Sequence, residues 1–218
     1  MSEGEMKLDR RTASRKPIIL IGAPSGSGKT MLSRKIISGQ FPLFAELCRW
    51  SPDEEPISYG LKVLPHNPPR DRVLIIECST YRFERLAGSE AWRRMVELVR
   101  ESELLIHVNL EVPRRTVVSQ YFRRIFTEPK RLHLFYRILQ LSKYWTTLVY
   151  MLTRELARAD EAWLQFGRTL AEDIPLRVAI VRVRRTGAEY RLHLEQAPAP
   201  YLTLFRHFEE PIDLQIVD

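Results

Sequence analysis

The chain has 218 residues, 44% of them hydrophobic and 28% charged, which excludes a disordered chain and is ample for one sizeable core. Its formal charge of +7, much of it from Arg, suits a polyanionic partner: phosphate groups, nucleic acid or an anionic membrane surface. The two cysteines, Cys48 and Cys78, have no CxxC spacing and indicate neither a disulfide framework nor a zinc site, and no uncharged apolar run reaches the ~18 residues of a membrane span.

Residues 1–16 are polar and lack an apolar h-region, so they read as a flexible leader rather than a signal peptide. Residues 17–218 read as one domain. The run at 17–22 is rich in Ile, as a buried parallel strand is. A turn is expected over 23–28 and a helix over 29–38, with Met31, Leu32, Ile36 and Ile37 available for its inner face and Gly39 placed to end it. The stretch "SPDEEPISYGLKVLPHNPPRD" holds five prolines and a cluster of acids. One strand is expected there, near 57–64, between irregular stretches.

"RVLIIECS" reads as a second buried strand and "ERLAGSEAWRRMVELVRES" as a helix with Trp92, Met95, Val96 and Val99 on one face. "ELLIHVNLEVP" is a third buried strand, stopped by Pro113. Residues 114–126 look helical, and 131–172 hold one or two further helices. At about 176–196, Leu176, Val178 and Ile180 alternate, as do Tyr190, Leu192 and Leu194, around a turn with Gly187, the pattern of a β-hairpin. "APAP" at 197–200 breaks it. Buried strands alternating with helices imply an α/β fold: an open, mainly parallel sheet with helices on both faces. Its ligand site is expected at the carboxyl ends of the strands, where the 23–28 turn, Glu77–Thr80 and Asn109–Arg115 fall.

"APSGSGKT", residues Ala23, Pro24, Ser25, Gly26, Ser27, Gly28, Lys29 and Thr30, follows a strand and opens a helix. This is a phosphate-binding loop pattern with Ala in place of the usual opening Gly. Gly26 and Gly28 let the backbone curl so that its N–H groups point inward. Those donors and the positive end of the helix dipole hold phosphate oxygens. Lys29 would reach the β- and γ-phosphates, and Thr30 would ligate Mg²⁺.

On these residues the chain resembles the P-loop NTPase superfamily, whose Walker A loop this is. "GAPSGSGKT" is most similar to the loops of uridine kinases and guanylate kinases. The resemblance is confined to short motifs. It implies a kinase-like fold and phosphoryl transfer from ATP with Mg²⁺ to a small acceptor such as a nucleoside or sugar. No Asn-Lys-x-Asp sequence is present, so ATP is expected, with GTP as the other nucleotide admitted. Glu77 resembles the acid that follows an apolar strand in deoxynucleoside kinases. There an Arg and a Ser come next. Here the run is Glu77–Cys78–Ser79, with Arg82 and Arg85 downstream. The resemblance gives Glu77 a role as metal support, beside Thr30, or as base. In small-molecule kinases a strand, a proline and an arginine-bearing helix lead into a lid. Arg123 and Arg124 match that place, where they would stabilise charge on the transferring group. A solvated basic helix face and a nucleic-acid patch are the other readings of this helix. Asp53, Glu54 and Glu55 fall where nucleoside kinases place an acceptor acid, and a flexible acidic loop is the alternative.

His107, inside a strand, is expected to be a hydrogen-bonded core histidine. Cys78 is either a buried inert thiol or, beside Glu77, a reactive one. Residues 132–152 are aromatic and apolar, and read as core, dimer interface or membrane-surface helix. A cytoplasmic location is expected. Two rival readings stand beside the kinase. One is a nucleotide-dependent regulator or assembly factor with a protein partner or a second copy of itself. The other is a nucleic-acid end kinase, for which no binding motif speaks.

Overall fold

A computed structural model describes residues 15–51, 54–80, 88–127, 145, 149, 155–198 and 201; of 121–127, 155 and 156 only the backbone is described. Asp53, Arg82, Arg85 and most of 132–152 lie outside the described residues.

The run "IILIGA" forms β1 (Ile18–Ala23), and all its residues are buried. It can be wholly apolar because both faces are covered. Successive side chains point to opposite faces. Ile19 and Ile21 join a cluster with Leu32, Ile36, Phe44 and Leu47. Ile18 and Leu20 join a second one with Trp92, Met95, Trp163 and Leu170. The first face carries α1 (Lys29–Ile37) and α2 (Pro42–Cys48). The second carries α3 (Glu90–Glu101) and α5 (Glu155–Asp173). Between those two helices in the chain lies α4 (Arg114–Thr127).

The fold is α/β. Strands β2 (Ile57–Gly60), β3 (Leu74–Ser79), β4 (Leu105–Glu111), β5 (Val178–Thr186) and β6 (Glu189–Gln196) complete a six-stranded sheet of order β2-β3-β1-β4-β5-β6. The first five strands are parallel neighbours. β6 runs antiparallel to β5. The carboxyl ends of β1 to β5 therefore share one edge of the sheet.

Helix ends follow their local chemistry. α1 stops where Gly39 takes a left-handed φ of 74°, which costs glycine nothing. α3 starts at Ser89, whose Oγ accepts the Trp92 N–H at 3.2 Å.

Several expectations need adjusting. Met31 is not on the inner face of α1; it is 45% exposed and lines a cavity. Residues 42–48, between Gly39 and the proline-rich stretch and given no element from the sequence, form α2, a seven-residue helix that starts on Pro42, the position where a proline's missing N–H costs nothing. The strand near 57–64 is only four residues long. A 3₁₀ turn (Leu61–Val63) follows it and drops Leu61 and Leu64 into the second cluster. Arg15 and Lys16, at the end of the segment read as a leader, are tied down. Arg15 is buried, and its guanidinium donates to the carbonyls of Pro68 and Pro69. Lys16 N–H bonds Arg70 O at 3.1 Å.

Candidate functional site

The loop between β1 and α1 turns on Gly26 (φ 83°) and Gly28 (φ 92°). Both angles lie in the left-handed region, which a side chain makes costly. Gly28 is also the N-cap of α1 and offers no capping side chain. The first-turn N–H groups of α1 thus have no side-chain cap, and they stand at the positive end of the helix dipole, which favours negative charge.

Lys29 and Thr30 open α1 at this turn. The Lys29 ammonium donates to the carbonyls of Ala23 at 2.8 Å and Pro24 at 2.9 Å. The Thr30 hydroxyl donates to Glu77 Oε2 at 2.7 Å. The register of the sheet explains that meeting. Glu77 on β3 lies opposite Ile21 on β1 and opposite Gly60 on β2. Its other oxygen accepts from the Ser58 hydroxyl at 3.1 Å. Ser25 and Ser79 hydroxyls bond at 3.0 Å and tie the loop to the end of β3. The hydroxyl and carboxylate oxygens at Thr30 and Glu77 are hard donors of the kind Mg²⁺ takes.

Ser25, Gly26, Gly28, Lys29, Thr30, Glu77 and Ser79 line a cavity of about 760 Å³. Met31, Leu61 and Val63 add apolar wall, with Lys62 between the last two, and α4 adds Gln120. Arg185, from β5, forms another part of the wall. Only 7% exposed, it donates from Nη1 to Ser27 O at 3.2 Å and from Nε to Gly187 O at 3.1 Å. A Cβ on Gly28 would lie 2.4 Å from that Nη1, the tip of a side chain that can shift, so it is the left-handed φ of 92° that calls for glycine there.

A chain of bonds continues behind the loop. Ala23 O, which holds Lys29, also accepts the Thr80 N–H at 3.1 Å. The Thr80 hydroxyl donates to Asp160 Oδ1 at 3.2 Å. Burial pushes the Asp160 carboxyl up to about 6, against the Thr80 hydrogen bond. Glu111 adds to the rise and Lys29 opposes it.

The structure thus brings Ala23, Pro24, Ser25, Gly26, Ser27, Gly28, Lys29, Thr30 and Glu77 to one place. Arg123 and Arg124 lie on α4, but their side chains lie outside the described residues. Glu54 and Glu55 line a separate hollow of about 590 Å³, and Glu54 pairs with Lys16 at 3.5 Å. Cys78 is buried, and burial pushes its thiol up to about 12, which fits an inert thiol. His107 is fully buried but not hydrogen-bonded as expected. Among the described residues neither ring nitrogen has a partner, and the ring stacks on Trp163 at 4.5 Å.

Ser58, Gln120, Asp160 and Arg185 escape the sequence reading. Arg185 sits in the basic run "RVRR", which by itself reads as hairpin surface. Asp160 is a single acid on an amphipathic helix. Neither carries a spacing that marks it.

A scan of protein-family models and a search of curated proteins each returned no match to this chain.

Proposed function

We propose that the chain is a P-loop phosphotransferase, which binds ATP with Mg²⁺ and passes the γ-phosphoryl group to a small acceptor. The observation that carries this reading is the meeting of Thr30 and Glu77 at 2.7 Å, beside a loop bent on two left-handed glycines. The loop amides and the start of α1 receive the phosphates. Lys29 leaves the two carbonyls that hold it and reaches the β- and γ-phosphates. Thr30 and Glu77 would hold Mg²⁺ through their hydroxyl and carboxylate oxygens, and the ion would supply positive charge against the phosphates. Glu77 keeps a second oxygen, now on Ser58, for the acceptor side of the cavity. Arg123 and Arg124 on α4 would close over the transferring group. The work is positioning and charge stabilisation, with no covalent intermediate.

The test is ADP release from ATP and Mg²⁺, with and without pooled nucleosides, nucleotides, sugars and short oligonucleotides, with Lys29→Ala as control. Release that rises with acceptor and disappears in the control supports a kinase. Splitting the pool then finds the acceptor.

A regulatory or assembly ATPase is the second reading. The observation in its favour is that the helical residues Trp145 and Val149 are 66% and 43% exposed, Trp being a side chain that partner surfaces favour. Slow release that ignores every acceptor, together with nucleotide-dependent association, would decide for it.

A further inference from the structure

We infer that Arg185 is a phosphate-binding residue of this cavity, through which the β5–β6 hairpin gives the bound nucleotide a second cation beside Lys29. The inference rests on the nucleotide-binding reading above and adds a residue to it.

Three observations carry it. The first is placement. β5 pairs with β4 as far as Glu111↔Arg184, so Arg185 is the next residue beyond, at the shared carboxyl edge. Its side chain returns to the loop across 158 residues of sequence. The second is burial without a counter-charge. Arg185 is 7% exposed, yet its bonds run to two neutral carbonyls, and its guanidinium lies 5.7 Å from the ring of Tyr190, its cross-strand neighbour. Among the described residues no carboxylate is paired with it. A cation buried this way is costly unless an anion balances it. The third is aim. Nη1 lies against the Ser27–Gly28 segment, immediately before Lys29. Two cations thus converge on one loop whose N–H groups already favour an anion. A polyphosphate supplies the counter-charge that Arg185 lacks among the described residues, and the planar guanidinium fork suits its oxygens better than a lone carbonyl does.

A brace for the loop is the competing role, and charge separates the two. Binding of ATP, ADP and adenosine would be measured by calorimetry at several salt concentrations, for wild type, Arg185→Gln and Arg185→Lys. The thermal midpoint of each free protein would be recorded alongside. Arg185→Gln should weaken ATP and ADP about tenfold or more and leave adenosine unchanged. It should also make the salt dependence shallower by about one counterion. Arg185→Lys should recover much of the loss. In wild type, the Arg185 Nε–H resonance, identified by its absence from the Arg185→Lys spectrum, should shift as ATP is added; this holds even if Arg185→Gln fails to fold. Unchanged affinity in Arg185→Gln overturns the inference. So does weakened affinity with an unchanged salt slope and no recovery in Arg185→Lys, or a resonance that does not move. If wild type binds ATP, Lys29→Ala does not, and Arg185→Gln behaves as wild type, this inference fails alone. A wild-type protein that binds no nucleotide takes both readings down.

Discussion

Asp160, half-buried, and His107, fully buried, are titratable groups whose protons the fold treats in opposite ways. Burial raises the Asp160 carboxyl to about 6 from an ordinary 3.8. The folded state then holds this proton more tightly than the unfolded one. That contribution is complete below the unfolded value and is lost as pH rises through about 6. Asp160→Asn cannot ionise and keeps an acceptor for Thr80. It should be more stable than wild type at pH 8, by about 2–3 kcal/mol at most, and no more stable at pH 4. Equal thermal midpoints at both pH values would refute this. His107 runs the other way. Burial lowers it to about 3 from an ordinary 6.5, so its contribution is complete above the unfolded value and is lost as pH falls towards the folded one. His107→Leu removes two nitrogens that lack partners among the described residues. It should stabilise the protein by about 1–2 kcal/mol at pH 7 and flatten the acid side of the stability curve. A steeper acid side would sink the idea. Legibility divides at this scale. Lys29 and Thr30 are readable because they are consecutive with the glycines that aim them. Asp160 and Arg185 are not, because only the fold carries a lone charge to a distant loop.

Elements were legible in proportion to how fully both of their faces are covered. β1, β3 and β4 are apolar runs because each is sandwiched between the two clusters, and such runs stand out in any window. α2 and β2 were poorly legible for the opposite reason. One is seven residues long and the other four, too short for a period to show, and both lie among prolines that read as breakers. Contact between elements was not legible at all. A Cβ on Gly22, at the end of β1, would lie 1.9 Å from Trp163 Cε2 on α5. That helix is seated on the strand that launches the loop, and the Trp163 indole N–H donates to Val108 O at 3.3 Å. Gly22→Ala must therefore push α5 or the loop aside, at a cost of about 1–3 kcal/mol or more. It should lower the thermal midpoint by several degrees and weaken nucleotide binding as well. Adding Trp163→Leu should recover part of the loss in the double variant, since the clash is with that ring. Equal, additive losses from the two substitutions would show that the approach of α5 is not what excludes a side chain at position 22.

The whole molecule converges on one edge. Five parallel strands end there, and the cavity takes cations from distant parts of the chain, Lys29 from α1, Lys62 from the turn after β2 and Arg185 from β5. The loop is bonded to β3 through Ser25 and Ser79, to Thr80 through Ala23 O, and to β5 through Arg185. A ligand that fills the loop therefore acts on the contacts of most of the sheet, and its binding energy should appear as global stability. At a nucleotide concentration about a hundred times the dissociation constant, linkage gives roughly 2.7 kcal/mol, or about 5–10 °C for a chain of this size. ATP with Mg²⁺ should give that rise in the wild-type thermal midpoint, and chelating the metal should reduce it, because Thr30 and Glu77 would then lose the ion that links them to the phosphates. In Lys29→Ala the free protein should unfold within a few degrees of wild type, since the lost hydrogen bonds to the Ala23 and Pro24 carbonyls are each worth about 1 kcal/mol. Its rise with nucleotide should disappear. The same rise in both proteins would mean that nucleotide gathers elsewhere on a surface of net charge +7. It would then fade in high salt, where a site built from fixed loop amides, Lys29 and the buried Arg185 should keep most of its effect.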